Sequence, residues 1–264
     1  MEPGVGMSVA ARTVVSMDSS PPSTPPAPAT EPLLPSESEA VGRGTHIVWD
    51  WNGTLLHDIH TVIEATNAAF TELDMPTITL DRYRELYCVP VPRFYERLTG
   101  RLPSAEEFAV LDSTFHRHYF ARVADAGLAE GAAELLASRR SAGFTQSLCS
   151  LAPHEHLVPL VRGHRIHQHF VRIDGSDSSG PSAGKAEQMA RHVRELLVEV
   201  RGLTPGRTVV IGDALDDARA AAHVGAHAVL YTGGSHSRRS LQEAGVPVVD
   251  SLAEAVETAE RIAG

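Results

Sequence analysis

Downstream of residue 129 the sequence alternates short apolar runs with amphipathic segments, and this alternation constrains the fold more than any other feature. The clearest run is Val209-Val210-Ile211. A strand with one face in water carries polar residues at every second position, so a continuously apolar strand must be covered on both faces. Strands are expected at 144–149, near 170–173, and at 207–211, 227–230 and 246–249. Helices are expected between and after them at 131–140, 154–162, 185–200, 214–223, 237–244 and 251–262. Buried strands separated by helices build a parallel sheet with right-handed crossovers. The expected fold class is α/β, a Rossmann-like doubly wound parallel sheet.

The first strand of this sheet stands apart from the rest. His46-Ile47-Val48-Trp49 is a short buried-strand signal that runs into a polar turn at 50–54. Between 57 and 128 no strand signal follows. Helical spacing covers 59–74, 80–87, 92–99 and 104–125, with breaks at Met75-Pro76, Pro90 to Pro92 and Leu102-Pro103. This reads as an all-helical cap at 57–128, inserted after the first strand and carried over the carboxyl edge of the sheet. The core is then 45–56 together with 129–264. Residues 1–44 form a leader with seven prolines between 21 and 35, interleaved with Ser, Thr and Ala. It has too little apolar surface to offset the entropy of ordering it and is expected to be disordered.

A formal net charge of −10 argues against sequence-independent nucleic-acid binding, which needs Lys and Arg to displace counterions. It also argues against a polybasic membrane contact. No apolar run is long enough to cross a bilayer, and no secretory signal is apparent, so a cytoplasmic location is expected. Cys88 and Cys149 lack the spacing of a metal knuckle or a disulfide framework and are expected to be apolar thiols. Of the 23 basic residues only Lys185 is a lysine. Oligomeric state leaves no readable trace.

In an open parallel sheet, ligands bind at the carboxyl ends of the strands. Asp50 follows the first strand, Ser150 follows Leu148-Cys149, Lys185 opens a helix, and Gly212-Asp213 closes 207–211 with Asp216 and Asp217 in the next turn. Asp50 and Asp213 offer hard carboxylate oxygens suited to Mg²⁺, and a backbone carbonyl of the 50–54 turn can add a ligand. Lys185 offers a compact positive charge and Ser150 a hydroxyl donor. Such a set suits in-line attack by Asp50 on phosphorus, with water releasing the phosphate afterwards.

The run Asp50-Trp51-Asn52-Gly53-Thr54-Leu55 resembles the first motif of the haloacid dehalogenase superfamily. Ser150 resembles its second motif, Lys185 its third and 212–217 its fourth. The helical insert resembles the cap of phosphoglycolate-phosphatase-like members. The resemblance implies a hydrolase acting on a small phosphorylated metabolite through an aspartyl-phosphate on Asp50. It implies Mg²⁺ held by Asp50, the Asn52 carbonyl and Asp213, with Asp217 orienting the metal's shell. It further implies phosphate contacts from Gly53, Thr54, Ser150, Leu151 and Lys185.

One position departs from the pattern. The superfamily's phosphatases generally place a second aspartate two residues after the nucleophile, to protonate the leaving group and activate water, and here that residue is Asn52. An amide does not exchange a proton, which removes roughly 10²–10⁴ in rate unless another group supplies it. Three readings stay open: a substrate with a good leaving group, a stand-in acid among His57, Asp58 and His60 or the cap histidines, or a slow or inactive phosphate-binding relative. Phosphoryl transfer to another acceptor is a further alternative. The cap contains no lysine for Schiff-base chemistry, which argues against phosphonate cleavage. The paired acids argue against dehalogenation. Arg82, Arg84, Arg93 and Arg97 are candidates for a second anionic group, Trp51 is expected to pack, and the histidines of 154–169 are expected to be solvated.

Overall fold

A computed structural model describes residues 40–41, 44–88, 90–177 and 184–264. In chain order the strands and helices are β1 (Ala40–Val41), β2 (His46–Trp49), α1 (Ile59–Glu72), α2 (Leu80–Leu86), α3 (Val91–Thr99), α4 (Ala105–Phe120), α5 (Ala132–Ser141), β3 (Gln146–Pro153), α6 (His154–Gly163), β4 (Ile173–Ser176), α7 (Gly184–Glu199), β5 (Val200–Arg201), β6 (Thr208–Gly212), α8 (Leu215–His223), β7 (His227–Tyr231), α9 (Arg238–Gln242), β8 (Val248–Val249) and α10 (Leu252–Ala263). Six strands form one sheet in the order β4-β3-β2-β6-β7-β8. Every pairing in it is parallel.

The two faces of the sheet can be read directly from the strand residues. Ile47, Trp49, Leu148, Val209, Ile211 and Val229 enter one core with residues of α5, α6 and α10. Their neighbours Val48, Cys149, Val210, Ala228 and Leu230 enter the other with residues of α7, α8 and α9. Successive side chains of a strand point to opposite faces, so a strand covered twice must be apolar throughout. The chain is doubly wound, as the alternation required.

Between β2 and β3, α1 to α4 enclose a third core that includes Phe70, Tyr83, Phe94, Tyr95 and Leu111. Helix α4 opens with a reciprocal cap in which Ser104 Oγ accepts from Glu107 N–H while the Glu107 carboxylate accepts from Ser104 N–H. Helix α3 stops at Gly100, whose φ of 81° is a conformation that glycine adopts without strain.

Three elements differ from expectation. Strand β3 runs past Ser150 to Pro153, because pairing with β4 resumes at Pro153 and Ser176 after a register shift. Strand β4 begins at Ile173, although ladder-like bonds from Val171 N–H to Gln146 and from Leu148 N–H to Arg172 precede it. Strand β1, inside the stretch assigned to the leader, pairs in parallel with β5. The remainder of that leader, apart from Gly44, and the loop directly before Gly184 lie outside the described residues.

A line of polar side chains crosses the sheet beside this core. Asp174 Oδ2 lies 2.7 Å from His192 Nδ1, and His192 Nε2 lies 2.8 Å from Ser147 Oγ. Ser147 Oγ lies 2.9 Å from His46 Nε2, and His46 Nδ1 lies 2.8 Å from Thr145 Oγ1. A carboxylate accepts only, so His192 carries its proton on Nδ1 and the direction of every following bond is set. Ser147 donates to His192, His46 donates to Ser147, and Thr145 donates to His46. Both imidazoles are neutral in this scheme. Burial, with His192 and Arg139 nearby, pushes His46 down to about 3, and burial also lowers His192 against the pull of Asp174.

A histidine held neutral in the fold but protonated when unfolded adds stability above the unfolded value near 6.5 that is lost as pH falls. The expected loss between pH 6.5 and 4 is at most about 1.4 kcal/mol per pH unit for each histidine. Denaturant unfolding of wild type and His46→Asn across that range checks this. A variant as pH-sensitive as wild type would show that His46 does not carry the effect.

Candidate active site

Asp50 extends the central strand by one residue, its N–H bonding to Ile211 O at 2.9 Å. The chain then turns tightly, with Thr54 N–H and Leu56 N–H both donating to Trp51 O. Gly53 has two reasons to be glycine: its φ is +72°, and a Cβ there would stand 2.6 Å from Asp213 Oδ2. Its N–H is spent inside the turn, on Leu56 O at 3.0 Å and Asp58 Oδ1 at 2.8 Å. Gly53 therefore contributes shape and space, with no free donor for an anion. Trp51 is fully buried in the core beside β2, as a packing residue.

Groups that follow β4 and β6 converge on Asp50. Lys185, in the first turn of α7, pairs with Asp50 Oδ1 and with Asp217 Oδ1 at 3.0 Å. Asp217 lies in the first turn of α8, and its Oδ2 accepts from Ala214 N–H at 3.1 Å. Asp213 follows β6 directly, and Ser235 N–H donates to its Oδ2 at 2.6 Å. Thr54 Oγ1 lies 3.4 Å from Asp50 Oδ2. Ser150 Oγ accepts from Ala152 N–H at 3.0 Å, which leaves its own proton to donate. Leu151 is half-exposed beside it. Asp216 faces away and pairs with Arg219.

Oxygens of Asp50, Asp213 and Asp217 all lie within 4.8 Å of one another, and all three residues are buried. Burial pushes Asp50 up to about 6, Lys185 opposing and Asp217 adding to the rise. Burial, then Asp50 and Asp217, raises Asp213 well above the usual carboxylate range. Burial opposes the Lys185 ammonium, but Asp217 and Asp50 together overcome it and raise its pKa. One ammonium among three carboxylates leaves two negative charges over when all are ionised. A dication with a preference for hard oxygen ligands, such as Mg²⁺, suits that imbalance and that donor set. Among the described residues no donor meets the Asn52 carbonyl, which keeps it open as a further ligand.

Asn52 itself is held from outside the cluster. Its Nδ2 donates to Asp58 Oδ2 at 2.8 Å and to Tyr119 Oη at 2.6 Å. Tyr119, from α4, donates its own proton to Asp58 Oδ2 at 2.6 Å. Asp58 accepts from Gly53, Asn52 and Tyr119 at once, so its carboxylate is spent on positioning. Both amide protons of Asn52 are consumed as well, and its Oδ1 remains as a fixed acceptor. Burial, then Asp58, raises the Tyr119 hydroxyl far above its usual value. Asp58 is therefore not a free stand-in acid, and Tyr119 is a poor one.

A model of the haloacid dehalogenase-like hydrolases matches residues 45–225. The chain belongs to this family. A phosphoglycolate phosphatase of Thiobacillus denitrificans is 27% identical over 215 residues, spanning 79% of this chain and 92% of the relative. Another, of Caulobacter vibrioides, is 26% identical over 196 residues, spanning 73% and 81%. Among solved structures, a predicted phosphatase from Clostridium acetobutylicum matches with a TM-score of 0.68 at 18% identity, covering 81% of this chain and 97% of that one. That likeness shows a common fold.

In this haloacid dehalogenase-like hydrolase the structure brings Asp50, Thr54, Lys185, Asp213 and Asp217 together. It redirects the four cap arginines. Arg82 pairs with Glu85 and Arg93 with Glu96 within their own helices, and Arg97 reaches Leu86 O at 3.4 Å. Arg84 bonds the carbonyls of Gly233 and Gly234. The sequence reading missed Tyr119, Ser235 and this glycine pair. Tyr119 is one aromatic among several on an amphipathic helix and carries no signal. Gly233-Gly234-Ser235 did carry one, since it follows a strand at the sheet's carboxyl edge. Cys149 is an inert buried thiol pushed up to about 12 by burial. Among the described residues no helix is long and apolar enough to cross a membrane.

Proposed function

We propose that this protein is a Mg²⁺-dependent phosphohydrolase that releases phosphate from a small phosphorylated metabolite in the cytoplasm through an aspartyl-phosphate on Asp50. The observation that carries this reading is the Asp50 carboxylate itself. It is buried at the end of the central strand, paired with Lys185 and seated in a cluster of three carboxylates. The names of the two curated relatives support a phosphorylated carboxylic acid among the substrates to try.

Asp50 and Asp213, with the Asn52 carbonyl, would hold the metal, and Asp217 would orient its shell. When bound, Mg²⁺ supplies positive charge that lets a phosphate dianion approach an anionic carboxylate. Asp50 forms a bond to phosphorus as the bond from phosphorus to the leaving oxygen breaks. Lys185 holds the carboxylate in position and offsets charge on the phosphoryl oxygens. Ser150 Oγ–H, the Leu151 N–H and the Thr54 hydroxyl would donate to those oxygens. Water then attacks phosphorus, releasing phosphate and restoring Asp50.

Asn52 supports a second reading, a phosphate-binding protein with little turnover, because its amide is locked and exchanges no proton. Phosphate release from alkyl phosphates, phosphoglycolate and acetyl phosphate, measured with Mg²⁺ and with EDTA, separates the two. Release that requires the metal is expected. No release from any of them, together with measurable phosphate binding, would favour the second reading.

A further inference from the structure

The helical block touches the carboxylate cluster's surroundings at α2. Arg84 Nε donates to Gly234 O at 2.8 Å and Nη2 to Gly233 O at 3.0 Å. The contact is returned, since Ser237 N–H donates to Arg84 O at 3.1 Å. Tyr87 meets His236 edge-on at 5.2 Å. The segment clamped in this way is the one that seats Asp213. Gly234 lies so close that a Cβ there would fall 1.9 Å from Asp213 Oδ2.

A single peptide group joins the two interactions. The carbonyl of the Gly234–Ser235 peptide accepts from Arg84, and its N–H donates to Asp213 at 2.6 Å. A cation on the carbonyl polarises the peptide and strengthens its N–H as a donor, so the two bonds reinforce each other. The same guanidinium also holds the loop in the one conformation that aims this N–H at Asp213.

We propose that Arg84 is a positioning residue for the divalent-cation site, aligning Asp213 through the Gly234–Ser235 peptide so that cation affinity depends on α2 being docked. The proposal rests on the reading of the carboxylate cluster as a metal site. Linkage makes the coupling reciprocal: a bound cation strengthens the docking of α2. Asp58 and Tyr119 tie the helical block to Asn52 and Gly53 independently, so loss of Arg84 loosens one contact without releasing the block.

The test is Mn²⁺ binding to the full chain, followed by electron paramagnetic resonance, in wild type, Arg84→Met, Arg84→Lys and Arg82→Met. Arg84→Met is expected to weaken Mn²⁺ about tenfold, within the usual range of coupling between sites. Arg84→Lys keeps the charge but loses the two-pronged geometry and is expected to fall between Met and wild type. Arg82→Met is expected to match wild type. Hydrogen exchange over 80–88 should slow when Mn²⁺ is added to wild type, and slow less in Arg84→Lys. Wild-type Mn²⁺ affinity in Arg84→Met, or in Arg84→Lys should the Met variant not fold, overturns the proposal. Failure of wild type to bind Mn²⁺ overturns the metal-site reading beneath it, a separate result.

Discussion

Asp50→Asn is expected to abolish phosphate release, lowering kcat by at least about 10⁴-fold, because the amide is no nucleophile towards phosphorus. The substitution keeps the shape of the side chain and its reach to Thr54, so the fold should persist. Stability should move the other way. The folded-state pKa of Asp50 is raised to about 6 by burial, so the native protein holds the proton more tightly than the unfolded chain does. Such a group lowers stability as pH rises from the unfolded value near 4 through the folded one, and the deficit is complete above it. Without metal at pH 7.5 the variant should therefore gain stability, by at most about 3 kcal/mol on the scale of 1.4 kcal/mol per pKa unit. Chemical denaturation in EDTA measures the gain, and a phosphate-release assay measures the loss. Turnover within tenfold of wild type would remove Asp50 from the role of nucleophile.

Asn52→Asp is expected to raise turnover of alkyl phosphates by roughly 10²-fold or more, the usual contribution of a positioned general acid. The gain should be much smaller for acetyl phosphate, whose leaving group needs little protonation. The new carboxyl would replace an amide that lies 2.8 Å from Asp58 Oδ2. Two carboxylates at that separation cannot both stay ionised, so the pair shares a proton and titrates above the usual range. The activity gain should fade as pH rises through that value. Stability should fall over the same window, since the folded pair binds its proton more tightly than the unfolded chain. The exchanged pair Asn52→Asp with Asp58→Asn restores an amide against a carboxylate and should recover the stability. No gain with alkyl phosphates in either variant would mean that another group already supplies the proton in the wild-type protein.

Much of the site was legible because its residues sit at positions that a parallel sheet dictates. Asp50, Lys185, Asp213 and Asp217 each fall at a strand end or in the first turn of the helix that follows, and the period of the apolar runs places those ends. The same argument found both faces of the sheet, since a strand such as Val209-Val210-Ile211 has no polar side to leave in water. Strand limits were less legible. Whether β3 stops at Cys149 or continues to Pro153 depends on its partner β4, which resumes pairing only after a register shift.

The sequence by itself determined the doubly wound sheet, the helical insertion and the identity of the groups at the strand ends. These follow from local periodicity and chain order, in which each residue's role depends on near neighbours. Only the tertiary structure decided how those groups are restrained. Tyr119 reaches Asn52 and Asp58 across more than sixty positions of chain, and Arg84 reaches Gly234 across 150. Contacts of that kind leave no periodic trace, because nothing in the spacing of a helix records which distant loop its exposed face will meet. The lock on Asn52 and the clamp on the Asp213 loop are therefore properties of the packed chain.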